Sequence, residues 1–250
     1  MLPSPRRRRA RRTCLQTRDL VHNAGAPTGF AFARTGRTDS GLKGSFITFE
    51  GIDGSGKTTQ LKKLAESLER AGRDCLLTCE PGGTPLGREI RKAFLETKQD
   101  VEPLAELLLF AADRAQHVKH LILPALAAGR IVISDRYADA TTAYQGAGRG
   151  FDLELIKSVI AIATDGLKPN LTLFFDIDPE SAVDRMAFRG EHKKNRMDLE
   201  SLDFYRRVRE GYLNIAAAEP ERFRVIDANR SVDEIAEETL DIVTEHLKSV

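Results

Sequence analysis

The chain reads as an α/β protein of one domain with a mainly parallel, doubly wound sheet. Three observations carry that expectation. Short apolar runs alternate with longer amphipathic segments, the order that βαβ crossovers leave in a sequence. Most runs are apolar on successive residues, as in strands covered on both faces. At 250 residues, 41% hydrophobic and 30% charged, the chain can bury one sizeable core.

The first 44 residues stand apart. Arg6 to Arg12 is a basic block broken only by Ala10, and Gly-, Thr-, Ala- and Ser-rich sequence without periodicity follows. Disorder is expected there. No apolar stretch follows the charges, which argues against a secretory signal. An organelle transit segment, or a contact with nucleic acid or a membrane surface, are the other readings. From Ser45 onward the apolar runs at 46–49, 75–78, 131–134, 171–175 and 223–226 are expected strands. The amphipathic segments at 57–71, 103–128, 153–164, 179–188, 201–218 and 232–247 are expected helices.

The 38 Lys and Arg nearly balance 37 Asp and Glu, for a net charge of +1. That balance is uneven. Residues 1–44 hold nine Arg and one Lys against Asp19 and Asp39, a surplus of eight, which leaves the remaining chain at −7. The acidic remainder argues against nucleic acid as a partner. No apolar run approaches the roughly 18 residues of a membrane span. The cysteines Cys14, Cys75 and Cys79 are few and odd in number, which points to a reducing, cytoplasmic setting rather than a disulfide framework.

The strongest local signal is Gly51-Ile52-Asp53-Gly54-Ser55-Gly56-Lys57-Thr58, followed by Thr59. It fits G-x-x-x-x-G-K-[ST] between an expected strand and an expected helix. Glycines let backbone N–H groups fold around phosphate oxygens. The helix start and Lys57 add positive charge, and Thr58 is placed to ligate Mg²⁺. A nucleoside triphosphate is the expected ligand. A guanine-reading [NT]-K-x-D element is missing from the ends of the later strands, so a compact small-molecule kinase is expected rather than a regulatory GTPase.

Three further clusters fall near expected strand ends or within the long helix: Thr78-Cys79-Glu80-Pro81-Gly82-Gly83-Thr84, Phe110-Ala111-Ala112-Asp113-Arg114, and Asp135-Arg136-Tyr137 with Thr141-Thr142-Ala143-Tyr144-Gln145-Gly146. With Phe49-Glu50 leading into the glycine loop, they resemble the thymidylate kinase family over roughly 200 residues, from Phe46 to the C-terminus. The resemblance implies a P-loop NTPase fold with a five-stranded parallel sheet flanked by helices on both faces. It also implies transfer of the ATP γ-phosphate to dTMP with Mg²⁺ in dTTP biosynthesis, a homodimer, and a lid at about residues 185–198.

Further roles follow from the same resemblance. Phe110 is the residue that stacks on thymine, a flat apolar surface suited to the task, and Arg114 reaches the thymine carbonyl edge. Arg136 grips the acceptor phosphate, for which a guanidinium offers paired donors. Asp135 and Asp176 both end an apolar strand run, and the resemblance selects Asp135 for the Mg²⁺ shell. Asp53 accepts from the deoxyribose 3′-hydroxyl, Tyr144 crowds the ribose 2′ position, and Thr141 and Gln145 line the base. Glu80 and Arg91 lie near the acceptor phosphate and the metal's waters. Gly54 and Ser55 occupy positions where a loop arginine would sit, so the catalytic arginine is expected in the lid, at Arg189 or Arg196, with Arg185 against adenine.

The chain departs from the family where Cys79 replaces the usual Arg, for which Arg88 is a candidate substitute, and in the looser lid sequence after Glu191. A deoxynucleoside kinase of similar fold, or a non-kinase nucleic-acid-associated P-loop protein, are the alternatives. The arginines at 91, 114 and 136 favour an anionic acceptor over the first, and the −7 charge beyond residue 44 argues against the second.

Overall fold

Among the described residues, β1 (Phe46–Glu50), β2 (Cys75–Cys79), β3 (Ile131–Asp135), β4 (Leu171–Asp176) and β5 (Phe223–Asp227) form one parallel sheet in the order β2-β3-β1-β4-β5. The computed structural model describes residues 42–187 and 196–249. The expected disorder of the first residues and the expected lid residue Arg189 therefore lie outside the described residues. All five residues of the central β1 are buried, which explains why its sequence shows no polar alternation. The edge strands differ: β2 is half-buried throughout, and β5 exposes Arg224 and Val225.

The register Phe49↔Asp135 between β1 and β3, and Glu50↔Phe174 between β1 and β4, aligns three strand ends. The chain leaves β1 toward one side of the sheet and later crosses to β4 on the other. A crevice therefore opens at the carboxyl ends around β1, where open α/β sheets take ligands.

Helices α1 (Lys57–Arg70), α2 (Pro85–Leu95), α3 (Pro103–His117), α4 (Leu123–Ala127), α5 (Ala138–Thr141), α6 (Leu153–Thr164), α7 (Pro179–Ala187), α8 (Leu202–Ala218) and α9 (Val232–Lys248) cover the sheet. Two buried clusters seal it. Phe46 and Val132 pack with Val118, Ile122, Leu126 and Tyr137. The next residues along the same strands, Ile47 and Ile133, pack with Leu61, Leu64, Phe175 and Tyr212, as the period of two requires. No helix among the described residues is long and apolar enough to cross a membrane.

Three local features depart from expectation. The segment after β2 looks like a loop because it holds Pro81, Gly82, Gly83, Pro85 and Gly87. It forms α2 nonetheless, since the Thr84 hydroxyl accepts from Gly87 N at 3.0 Å and Pro85 opens the helix. The long helix expected over 103–128 runs as α3, a π-helical stretch Val118–Ile122 and then α4. Pro124 has no N–H to bond the carbonyl four residues back, and the wider turns pass over that gap. After β3, α5 continues into a second π-helical segment, Thr142–Gly148, which no expected element covers.

This second π segment packs on α8 at very short range. A Cβ at Gly211 would lie 2.7 Å from Ala147 Cβ and 3.1 Å from Ala143 Cα, and one at Gly148 2.7 Å from the Phe204 ring. Gly211→Val should therefore force these elements apart and cost about 1–3 kcal/mol. Thermal unfolding should show a melting point lower by several degrees; an unchanged melting point would contradict the packing described.

Candidate active site

The glycine loop leaves β1 and turns over the sheet edge. Gly51 has φ 141 and Gly54 φ 89, values that side-chain-bearing residues avoid. A Cβ at Gly51 would come 2.7 Å from the Phe175 carbonyl oxygen, and one at Gly54 2.3 Å from that of Ala182. The glycines thus let the loop press against β4 and α7. α1 starts at Lys57 after Gly56, which has no side chain to cap it, so the amides of Lys57 and Thr58 that open the helix are available to an anion. The Lys57 ammonium is buried and donates to Gly51 O (2.7 Å), Ile52 O (2.9 Å) and Ser55 Oγ (3.4 Å). Burial first, and the Arg136 charge second, pull its pKa down to about 8, against the opposing pull of Asp53, Asp135 and Glu50.

The two strand-ending aspartates have different partners. Asp135 Oδ2 accepts from the exposed Thr58 hydroxyl at 3.0 Å, whereas Asp176 is held by Arg209 through two bonds of 2.6 and 2.8 Å. Among the described residues, no cluster of three His, Cys, Asp or Glu side chains is arranged to hold a metal by itself. The Thr58 hydroxyl and the Asp135 carboxylate are hard oxygen donors, a pair that suits Mg²⁺ when phosphates and waters complete its shell.

Arg136 begins the chain beyond β3 at φ 72, a strained backbone value for a residue with a Cβ, of the kind that persists at functional sites. Neighbouring contacts impose it. Arg136 N donates to Phe49 O at 2.9 Å. The next amide, Tyr137 N, donates at 2.8 Å to the Glu50 carboxyl group, which also accepts from Tyr212 OH at 2.7 Å. Burial, reinforced by Asp139, pushes Glu50 up to about 8. The Arg136 guanidinium lies 3.0 Å from Asp53 Oδ1 and 3.0 Å from Tyr144 OH, with its carbon 4.7 Å from the centre of the Tyr144 ring. Burial raises the Tyr144 phenol well above its ordinary range, which keeps it neutral.

Arg114 is buried, at 2% exposure, and its donors are distributed over Glu80 Oε2, Thr141 Oγ1 and Tyr137 O, each at 2.8 Å. Glu80 in turn meets His117 Nδ1 at 2.8 Å, and His117 Nε2 meets Thr78 Oγ1 at 2.6 Å. Beside this chain, Asp113 Oδ1 accepts from Gly82 N at 3.1 Å, while its Oδ2 is buried without a partner among the described residues. Burial, then Glu80, raises Asp113 to about 6. Arg91 donates to Pro81 O at 3.0 Å.

These groups line one cleft at the carboxyl ends of the strands. All nine residues expected on the acceptor side line it: Asp53, Glu80, Arg91, Phe110, Arg114, Arg136, Thr141, Tyr144 and Gln145. Phe110 meets Phe94 edge-to-face, 4.8 Å between ring centres. Pro81, Leu95, Ala140 and Met197 also line the cleft and were not anticipated. Glu106 and His117, behind the wall, were missed as well. The available signal was spacing, because Glu106, Phe110 and Arg114 recur every four residues and His117 follows three later, on one face of α3.

Arg196, one of the two lid candidates, lies against the cleft wall. Its guanidinium is drawn to the buried Glu106 carboxylate and to Phe94 O at 3.3 Å. A buried anion needs such counter-charge, and Arg196 supplies it while bracing the cleft wall. Arg185 donates to Ala228 O at 3.0 Å, beyond β5. Arg88, the candidate substitute for the arginine missing at Cys79, is exposed on α2 and does not line the cleft.

Comparison with known proteins adds an independent line. The thymidylate kinase family model matches residues 49–239. Thymidylate kinase of Chlorobium luteolum is 50% identical over 197 residues, which is 76% of this chain and 92% of that protein. The enzyme of Deinococcus radiodurans is 48% identical over 203 residues, 81% of this chain and 98% of its own. The crystal structure of thymidylate kinase from Ehrlichia chaffeensis superposes with a TM-score of 0.66 at 37% identity, covering 80% of this chain and 98% of the other. With the glycine loop and the arginine-lined cleft on one sheet edge, these matches establish that the chain belongs to the thymidylate kinase family.

Proposed function

We propose that the chain phosphorylates dTMP to dTDP with the γ-phosphate of ATP, as the Mg²⁺ complex, in the supply of dTTP. One observation carries the reading: the glycine loop and the arginine-lined cleft meet at the Asp53–Arg136 pair, 3.0 Å apart. A triphosphate on the loop and a monophosphate in the cleft would face each other across it. An oxygen of the acceptor phosphate attacks the γ-phosphorus, the bond to the β–γ bridging oxygen breaks, and ADP leaves. The acceptor is already an anion, so positioning and charge stabilisation supply most of the catalysis.

The residues take the following parts. Gly51, Ile52, Gly54, Ser55, Gly56 and Thr59 shape the triphosphate cradle, and Lys57 exchanges its loop carbonyls for phosphate oxygens. Thr58 and Asp135 would hold Mg²⁺, which would supply charge neutralisation at the phosphates. Arg136 grips the acceptor phosphate, with Arg91 beside it. Phe110 stacks on the base, Arg114 donates to its carbonyl edge, and Thr141 and Gln145 complete the wall. Asp53 accepts from the 3′-hydroxyl and Tyr144 fills the space a 2′-hydroxyl would need. Glu80 acts through Arg114, which it holds in place. The arginine that meets charge on the moving group is Arg189, or Arg196 once it leaves Glu106, and Arg185 packs at the adenine side. A homodimer and a cytoplasmic setting complete the proposal. The exposed Leu104 and Leu108 on α3 and Leu155 and Ile162 on α6 support a self-contact.

Arg136→Ala should lower kcat/KM for dTMP by about 100-fold or more, the scale for removing a charge-paired anchor, while ATP affinity changes by only a few-fold. Undiminished dTMP turnover would refute the acceptor assignment. Lys57 supplies a second measurement. A bound triphosphate stabilises its ammonium and raises its pKa from about 8, so ATP binding above that pH takes up a proton and weakens as pH rises. Calorimetry at about pH 9 in two buffers of different ionisation enthalpy should register this uptake. Finding none would mean that Lys57 does not meet the triphosphate.

A further inference from the structure

We propose that Glu106 sets which polar atom Gln145 turns toward the nucleobase, and thereby makes the cleft select 2,4-dioxopyrimidines over 4-aminopyrimidines. It rests on the reading of the cleft as a dTMP site. A glutamine amide is nearly symmetric in shape and can present either its oxygen or its nitrogen. What breaks the symmetry is the neighbour behind it. Gln145 Nε2 donates to Glu106 Oε1 at 3.0 Å. The Glu106 side chain is fully buried and lies outside the cleft lining, with Arg149 at 3.3 Å and Arg196 also against it. Held between two guanidinium groups, it is an anion and can only accept.

The flipped amide would set Gln145 oxygen against that anion, so the nitrogen stays on Glu106. The polar atom left for the cleft is Gln145 Oε1. It has no hydrogen-bond partner among the described residues, and Gln145 lines the cleft. Arg114, which lines the same cleft, can only donate. Together they form a wall with one acceptor and one donor. A 2,4-dioxopyrimidine offers N3–H to the acceptor and O4 to the donor. A 4-aminopyrimidine offers the N3 lone pair and an amino group, which opposes like with like at both points. Glu106 is thus a positioning residue that never touches the nucleotide.

The test compares kcat/KM for dTMP, dUMP and dCMP in the full chain and in Glu106→Gln. The substituted amide can donate or accept, which releases the constraint on Gln145. The dTMP-to-dCMP ratio, about 10³ or more in the unaltered chain for a site built to pair base polar groups, should fall about 10-fold or more. The dTMP-to-dUMP ratio, which reads only the methyl group, should hold. An unchanged dTMP-to-dCMP ratio, or both ratios falling together as general loosening would cause, overturns the proposal. If the unaltered chain fails to turn over dTMP at all, the functional reading itself is lost, a distinct result.

Should Glu106→Gln not fold, nitrogen-15 spectra of the glutamine side chains decide, with Gln145 assigned by loss of its signal in Gln145→Leu. Amide protons protected in the free protein and unmoved by dTMP support the proposal. Protons that exchange freely until dTMP is added would mean that the nitrogen faces the base, and would overturn it.

Discussion

The site is organised around a single ion pair, Arg136 with Asp53, at the seam between the glycine loop and the cleft. It joins the end of β1 to the end of β3, strands that pair in the sheet but are far apart in the chain. Holding Arg136 there requires a left-handed backbone, which costs energy wherever a Cβ is present. The surrounding hydrogen bonds overdetermine it: Phe49 O takes its amide, and the buried Glu50 takes the amide that follows. The rigidity of the sheet thereby becomes the rigidity of a guanidinium.

The same device recurs with other carboxylates. Glu80 orients Arg114, with His117 and Thr78 behind it, and Glu106 gathers Gln145, Arg149 and Arg196. Buried ion pairs add little net stability, because desolvation offsets most of the attraction. Their value here is geometric. A flexible arginine or glutamine at the cleft surface loses most of its rotamers once a buried acceptor fixes its far end, so a nucleotide meets donors and acceptors already in place.

The glycine loop shows how a motif answers two demands at once. Phosphate binding requires backbone N–H groups to converge, which glycine permits. The structure adds that Gly51 and Gly54 run against the carbonyls of Phe175 and Ala182, where any Cβ would collide. A substitution there would therefore disturb the seat of the loop on β4 and α7 as well as its grip on a ligand.

The sheet, the main helices and the glycine loop were legible in the unfolded chain. Each of these is written in local order: an apolar run, a helical period, a motif of fixed spacing. The acceptor-side residues were named through the resemblance to thymidylate kinases. Even α2 was hidden only because prolines and glycines mark a loop and a helix start alike. The company each residue keeps, by contrast, was settled by packing. Asp135 and Asp176 have the same local context, and only the fold gives one to Thr58 and the other to Arg209. Arg196, one of two candidates for the moving phosphate, rests on Glu106, 90 positions away in the chain. The reason is physical: a side chain's period and propensity act over a few residues, whereas a buried charge takes whichever partner the packed chain brings within reach.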